Sequence, residues 1–157
     1  NKKKPAEDSR FIAAVYNAIL GGGANSKLFQ NVREKASLAY TTGSNYNRTK
    51  NCIFIRAGIE IQNYQKALGT IKQQLEDMKN GTFTDKDIKD SKELIIASIE
   101  GISEEQDTEI TYYYGQELAN RFVDLKEYMD KIKAVTKDQI VKLAQNININ
   151  TIYFLKD

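Results

Sequence analysis

One stretch of this chain alternates with period two, while the long segments around it repeat with the period of a helix. Ile53, Ile55, Ala57, Ile59 and Ile61 fall on one side, and Cys52, Phe54, Arg56, Gly58 and Glu60 on the other. Successive strand side chains point to opposite faces, so the pattern predicts a strand with at least one buried face. The stretch Leu38 to Asn47 is rich in Tyr and Thr and reads as its neighbour. The link Asn47-Arg48-Thr49-Lys50-Asn51 is short and polar, which predicts an antiparallel hairpin.

The rest is helical in pattern. Residues 6–20 place Phe11, Val15, Ala18 and Ile19 on one face and stop at Gly21-Gly22-Gly23. Asn25 or Ser26 can cap a second helix from about Lys27 to Lys35, with Leu28, Phe29 and Val32 inward. Tyr64, Leu68, Ile71, Leu75 and Met78 predict a long helix that Asn80-Gly81 ends in a left-handed turn. Thr84 and Asp87 resemble a capping box that opens a helix carrying Ile88, Ile95, Ile99 and Ile102. Further helices are expected at about 106–122, 125–134 and, behind a Thr136 cap, to about Gln145. Thr151 to Leu155 reads as a last strand. The only proline is Pro5, so no helix after it need break. The expectation is one domain over 1–157: helix-rich α+β, with a small, mostly antiparallel sheet and helices packed on one face. Three strands are few for so many helices, so strands from a partner, or from an N-terminal part of the sheet, are expected to complete it.

Composition narrows the chemistry. Among 157 residues there is no histidine and one cysteine, Cys52. That removes Ser-His-Asp and Cys-His nucleophiles, histidine-based zinc sites and an intrachain disulfide framework. Lys+Arg 23 against Asp+Glu 21 leaves a net charge of +2, which argues against a dedicated nucleic-acid or anionic-membrane binder. No run approaches a membrane helix in length. Asn1-Lys-Lys-Lys-Pro5 leads into polar sequence, so no secretory leader is expected and the location expected is cytoplasmic.

Most motif-like features have plain readings. The glycine run lacks the Gly-Lys-Ser/Thr ending of a phosphate loop and follows a helix rather than a strand. It serves as a flexible turn, although bare backbone can also lie against a substrate. Glu104, Glu105, Asp107 and Glu109 suit an exposed helix junction better than a carboxylate pair across a cleft. Tyr112, Tyr113 and Tyr114 point about 100° apart on a helix and form no single platform. Arg33 lies one turn beyond Phe29, and Tyr40 seven residues on at the start of a strand. A helix–turn–strand can fold back and bring both to one side. Taken locally, Arg33 could only complement a helix C-terminus and Tyr40 could only pack.

The segment 20–46 resembles the C-terminal-type, metal-free domain of the pitrilysin/insulinase family of zinc metallopeptidases. The residues that carry the resemblance are Leu20-Gly21-Gly22-Gly23, Ser26-Lys27-Leu28-Phe29, Val32-Arg33-Glu34-Lys35 and Leu38-Ala39-Tyr40. It is closest to bacterial members similar to the mitochondrial processing peptidase. The resemblance implies one half of a clamshell protease that closes over a peptide. Zinc would sit in the other half, on His-x-x-Glu-His, and none in this chain. Arg33 and Tyr40 match the arginine and tyrosine that reach substrate and transition state, and Gly21, Gly22, Gly23 and Ser26 would line the chamber. Implied partners are a zinc-bearing domain or subunit and a peptide, with no nucleic acid and no membrane. Family domains begin with strands before the first helix, so the resemblance also implies a start short of those strands and an exposed edge open to a second copy. The other reading is an inactive structural or assembly subunit of the same fold.

Overall fold

In the computed structural model the described residues are 9–104 and 123–156. Helix α1 (Ser9–Gly21) is followed by a π-helix (Phe29–Lys35), then strands β1 (Ala39–Asn47) and β2 (Cys52–Ile59). A 3₁₀ turn (Ile61–Asn63) leads into α2 (Tyr64–Lys79) and α3 (Asp85–Glu104). Helices α4 (Leu125–Ala134) and α5 (Lys137–Gln145) complete the order. The fold is α+β and helix-rich, as the alternating and helical periods predict.

The core centres on α1. Phe11, Val15, Tyr16, Ile19 and Leu20 are all at most 2% exposed. They belong to one cluster with Leu28, Val32, Met78, Phe83, Tyr128, Ile132 and Ile140 from the surrounding elements. A near-continuous apolar helix is a buried one, and α1 touches β1, α3, α4 and α5. Its C-terminal end lies directly on β1. Ser44 Oγ donates to the Asn17 carbonyl at 3.3 Å, and Asn17 Nδ2 donates to the Ser44 carbonyl at 3.4 Å.

The hairpin pairs Asn47 with Cys52, Ser44 with Ile55 and Thr41 with Gly58. Ile53, Ile55, Ala57 and Ile59 are half-buried while Phe54, Arg56 and Gly58 are exposed, so the alternation marks the inner face correctly. The helix ends also follow their sequence signals. Gly81 takes φ +69° behind α2. Thr84 and Asp87 exchange bonds at the start of α3: the Thr84 N–H donates to Asp87 Oδ2 at 2.7 Å and the Asp87 N–H to Thr84 Oγ1 at 3.1 Å. Thr136 forms a full capping box with Gln139.

Three expectations change. Residues 29–35 wind as a π-helix instead of continuing as an α-helix. Ile61 leaves the strand pattern and lies 56% exposed in the 3₁₀ turn. Thr151–Leu155 is not a strand, because no described strand lies alongside to take its backbone bonds. Among the described residues only Phe154 of that stretch finds a close aromatic neighbour, stacking on Tyr64 with centroids 4.1 Å apart. The sheet is two-stranded among the described residues. The helix expected at 106–122, with the tyrosine triplet and all of the acidic cluster beyond Glu104, lies outside them.

Candidate functional site

The segment 26–40 is built to deliver two side chains to one place. Ser26 is buried, and its Oγ accepts the Phe29 N–H at 3.4 Å, which opens the helical stretch. Leu28 and Val32 are fully buried and anchor it to the core. With those two inward, Arg33 faces out, in the last turn, where its charge suits the helix C-terminus. Its guanidinium lies over the Phe29 ring, 4.7 Å from the centroid, and its Nε is 3.7 Å from Glu34 Oε1. Ser37, at φ +50°, then reverses the chain into β1.

Tyr40 sits at an irregularity in the ladder. Ala39 pairs with Ile59 and Thr41 with Gly58, so Tyr40 is the extra residue of a bulge. An extra residue bends the strand and re-aims its side chain. Tyr40 does not pack: it is 63% exposed. Its hydroxyl donates a hydrogen bond to Glu60 Oε1, and Gln62 Nε2 donates to the other carboxylate oxygen at 3.4 Å. The bond to the Glu60 carboxylate, with smaller contributions from burial and the carboxylate's charge, holds the phenol above the usual tyrosine range.

Arg33 and Tyr40 line the same cavity of about 550 Å³, with Glu34, Ser37, Leu38, Ala39, Glu60 and Asn63. One cation, two carboxylates and a phenol O–H therefore meet at a wide opening, a set that can grip and donate to the carbonyl groups of an extended chain. Glu60 and Asn63 were missed by sequence reasoning. The available signal was Glu60's place at the end of the alternating run, opposite the start of β1.

The glycine loop and Ser26 lie elsewhere. None of Gly21, Gly22, Gly23 and Ser26 lines the cavity. Gly21 presses on β1, where a Cβ would stand 2.4 Å from the Ser44 nitrogen. A Cβ on Gly22 would meet Ala18 Cα at 2.6 Å, and one on Gly23 the Leu94 side chain at 3.2 Å. Among the described residues no group of three or more His, Cys, Asp or Glu side chains could hold a metal ion. With no histidine in the chain, zinc does not fit these residues. Among the described residues no helix is long and apolar enough to cross a membrane.

Residues 5–95 match the family model of the peptidase M16 inactive domain. The probable inactive metalloprotease YmfF of Bacillus subtilis (strain 168) is 37% identical over 149 residues, covering 90% of this chain and 33% of that protein. The uncharacterized zinc protease YmxG of the same organism is 28% identical over 136 residues, covering 85% and 33%. This chain thus spans about a third of the length of these curated relatives. A conserved protein from Enterococcus faecalis V583 superposes with a TM-score of 0.81 at 29% identity, over 86% of this chain and 32% of that one. The peptidase M16 inactive domain from Pseudomonas fluorescens superposes at 0.78 with 20% identity, over 94% and 36%, a likeness of fold.

Proposed function

The chain belongs to the peptidase M16 inactive-domain family, and from that premise we propose that it is the substrate-binding, non-catalytic half of a zinc metalloendopeptidase. We read residues 1–157 as one C-terminal-type, metal-free domain that closes over a peptide held by a zinc-bearing domain or subunit. The observation that carries this reading is the meeting of Arg33 and Tyr40 at one open cavity. Tyr40 offers a phenol O–H to the carbonyl oxygen of the peptide as that oxygen gains negative charge. A donor aimed at the developing oxyanion lowers the barrier because it binds the transition state more strongly than the substrate. Arg33 grips a neighbouring backbone carbonyl through charge-assisted bonds and holds the peptide in register. Its stacking on Phe29 restrains the guanidinium before the peptide arrives. Zinc belongs to the partner half in this reading. The glycine loop and Ser26 support the chamber by seating α1 on β1 and opening the π-helix.

The test is turnover of the assembled enzyme. Tyr40→Phe is expected to lower kcat by about 10²–10³-fold, the usual effect of losing one oxyanion donor. Arg33→Ala is expected to raise KM together with a fall in kcat. Unimpaired turnover in both variants rules the roles out.

A second reading is favoured by the name of the relative at 37% identity, an inactive metalloprotease. On that reading the domain serves assembly only. A full-length protein that lacks a His-x-x-Glu-His half, and that recovers no partner carrying one, supports it. Peptide and zinc-bearing half remain the proposed partners, self-association through the sheet edge is a further proposal, and nucleic acid and membrane are left out. A cytoplasmic location suits a chain whose one cysteine has no second for a disulfide.

A further inference from the structure

A phenol carries one proton to donate. Here that proton is directed at Glu60 Oε1, so the hydroxyl cannot serve an oxyanion while the bond stands. Glu60 is itself held: Gln62 donates to its Oε2, and Glu60 lies immediately past β2, beside the bulge that presents Tyr40. The exposed ring has little else to fix it over the cavity. We propose that Glu60 is a positioning residue that latches Tyr40: its carboxylate holds the phenolic proton in the resting site, and a peptide carbonyl must displace it before Tyr40 can act. The exchange needs no proton transfer. The Tyr40 O–H stays intact and turns from the carboxylate to the carbonyl oxygen, while Glu60 keeps Gln62 and gains water through the open mouth.

The last step rests on the catalytic role proposed for Tyr40, and the latch itself does not. Other charged groups at the site are Arg33 and Glu34 of the π-helix, already 3.7 Å apart. The β2 side contributes Glu60, and the 3₁₀ turn contributes the neutral Gln62 and Asn63. Glu60 is thus the group in hydrogen-bond contact with the Tyr40 hydroxyl. Glu60→Gln keeps the shape and removes the charge, and a bond to a neutral acceptor is about half as strong.

Two measurements on the full-length protein test this. In the first, tyrosinate absorbance is followed against pH in wild type, Tyr40→Phe and Glu60→Gln, and the difference from Tyr40→Phe isolates one phenol. Tyr40 is expected to titrate above the ordinary tyrosine range in wild type and to fall back into it in Glu60→Gln. A wild-type Tyr40 that titrates in the ordinary range overturns the latch. In the second, turnover is measured with the zinc-bearing half present. Glu60→Gln is expected to raise kcat/KM by about threefold or more, because the fraction of Tyr40 free to engage increases. Its alkaline limb is expected to move to lower pH. A fall in kcat/KM overturns the latch. Undiminished turnover in Tyr40→Phe defeats the catalytic role of Tyr40 while the titration continues to report on the bond to Glu60.

Discussion

At Gly21 one methyl group would meet backbone as well as the Ser44 hydroxyl, whose Oγ would stand 2.6 Å from it. An added Cβ would lie 2.4 Å from the Ser44 nitrogen and 2.9 Å from the Gly43 carbonyl carbon. Neither atom can rotate away, so α1 would have to lift off β1 and strain its two bonds between Asn17 and Ser44. Gly21→Ala is expected to cost about 1–3 kcal/mol, the range for overpacking, read from the midpoint of urea unfolding. Gly23→Ala serves as the control. Its nearest obstacle is Leu94 Cδ2 at 3.2 Å, the end of a flexible and half-exposed side chain. A change within about 0.5 kcal/mol is expected there. Equal losses at both positions would show that the close approach of α1 to β1 is not what the glycine run protects. Contact with a neighbouring strand leaves no local mark in the sequence, so the run reads there only as a flexible turn. Tyr40 is legible in part. Its type and its seven-residue distance from Arg33 stand in the sequence, whereas the bulge that aims it arises from the register of two strands.

At the scale of elements, short-range chemistry sets the helix ends. Thr84 Oγ1 accepts the Asp87 N–H and donates to Asp87 Oδ2 at 2.9 Å. Thr84→Ala removes that cap from α3 and is expected to cost about 1 kcal/mol. Gly81→Ala is expected to cost about 1–2 kcal/mol, because φ +69° is a left-handed backbone that a side chain resists. Val141 Cγ2, 3.2 Å from the added Cβ, keeps the turn from relaxing. Thermal unfolding of the two variants and of the double variant measures the terms and their sum, and additivity fails if loop 80–84 responds as one unit. These boundaries were legible because caps and left-handed stops depend on residues three or four apart. The π winding of 29–35 was not, since Leu28, Phe29 and Val32 satisfy an α-helical pattern equally well. The chain there also bonds outside the α pattern, with the Leu38 N–H donating to the Val32 carbonyl at 3.0 Å. The tail shows the opposite error. Thr151-Ile152-Tyr153-Phe154-Leu155 has strand composition, but a strand needs a neighbour and composition cannot supply one.

At the scale of the whole molecule, the described residues leave apolar side chains exposed on β2 and on the tail 151–155. Neither β1 nor β2 has a second strand neighbour among the described residues, and α1 and the π-helix contact β1. Phe54 is 45% exposed, and Ile152, Tyr153 and Leu155 of the tail are exposed as well. Open strand edges beside exposed apolar side chains are templates for pairing with another chain. A net charge of +2 offers little repulsion against a second copy. Sedimentation of the 157-residue chain by itself is therefore expected to show association that grows with concentration. Phe54→Lys is expected to weaken it, because a lysine charge on a strand is costly to bury against a like strand. The same surface is expected to stop self-associating once the proposed zinc-bearing half is bound, if that half is what the sheet normally meets. Monomer at every concentration would remove the sheet edge as an interface. Self-association that survives binding of the zinc-bearing half would place the two contacts on separate surfaces, and clamshell closure would then leave this edge free.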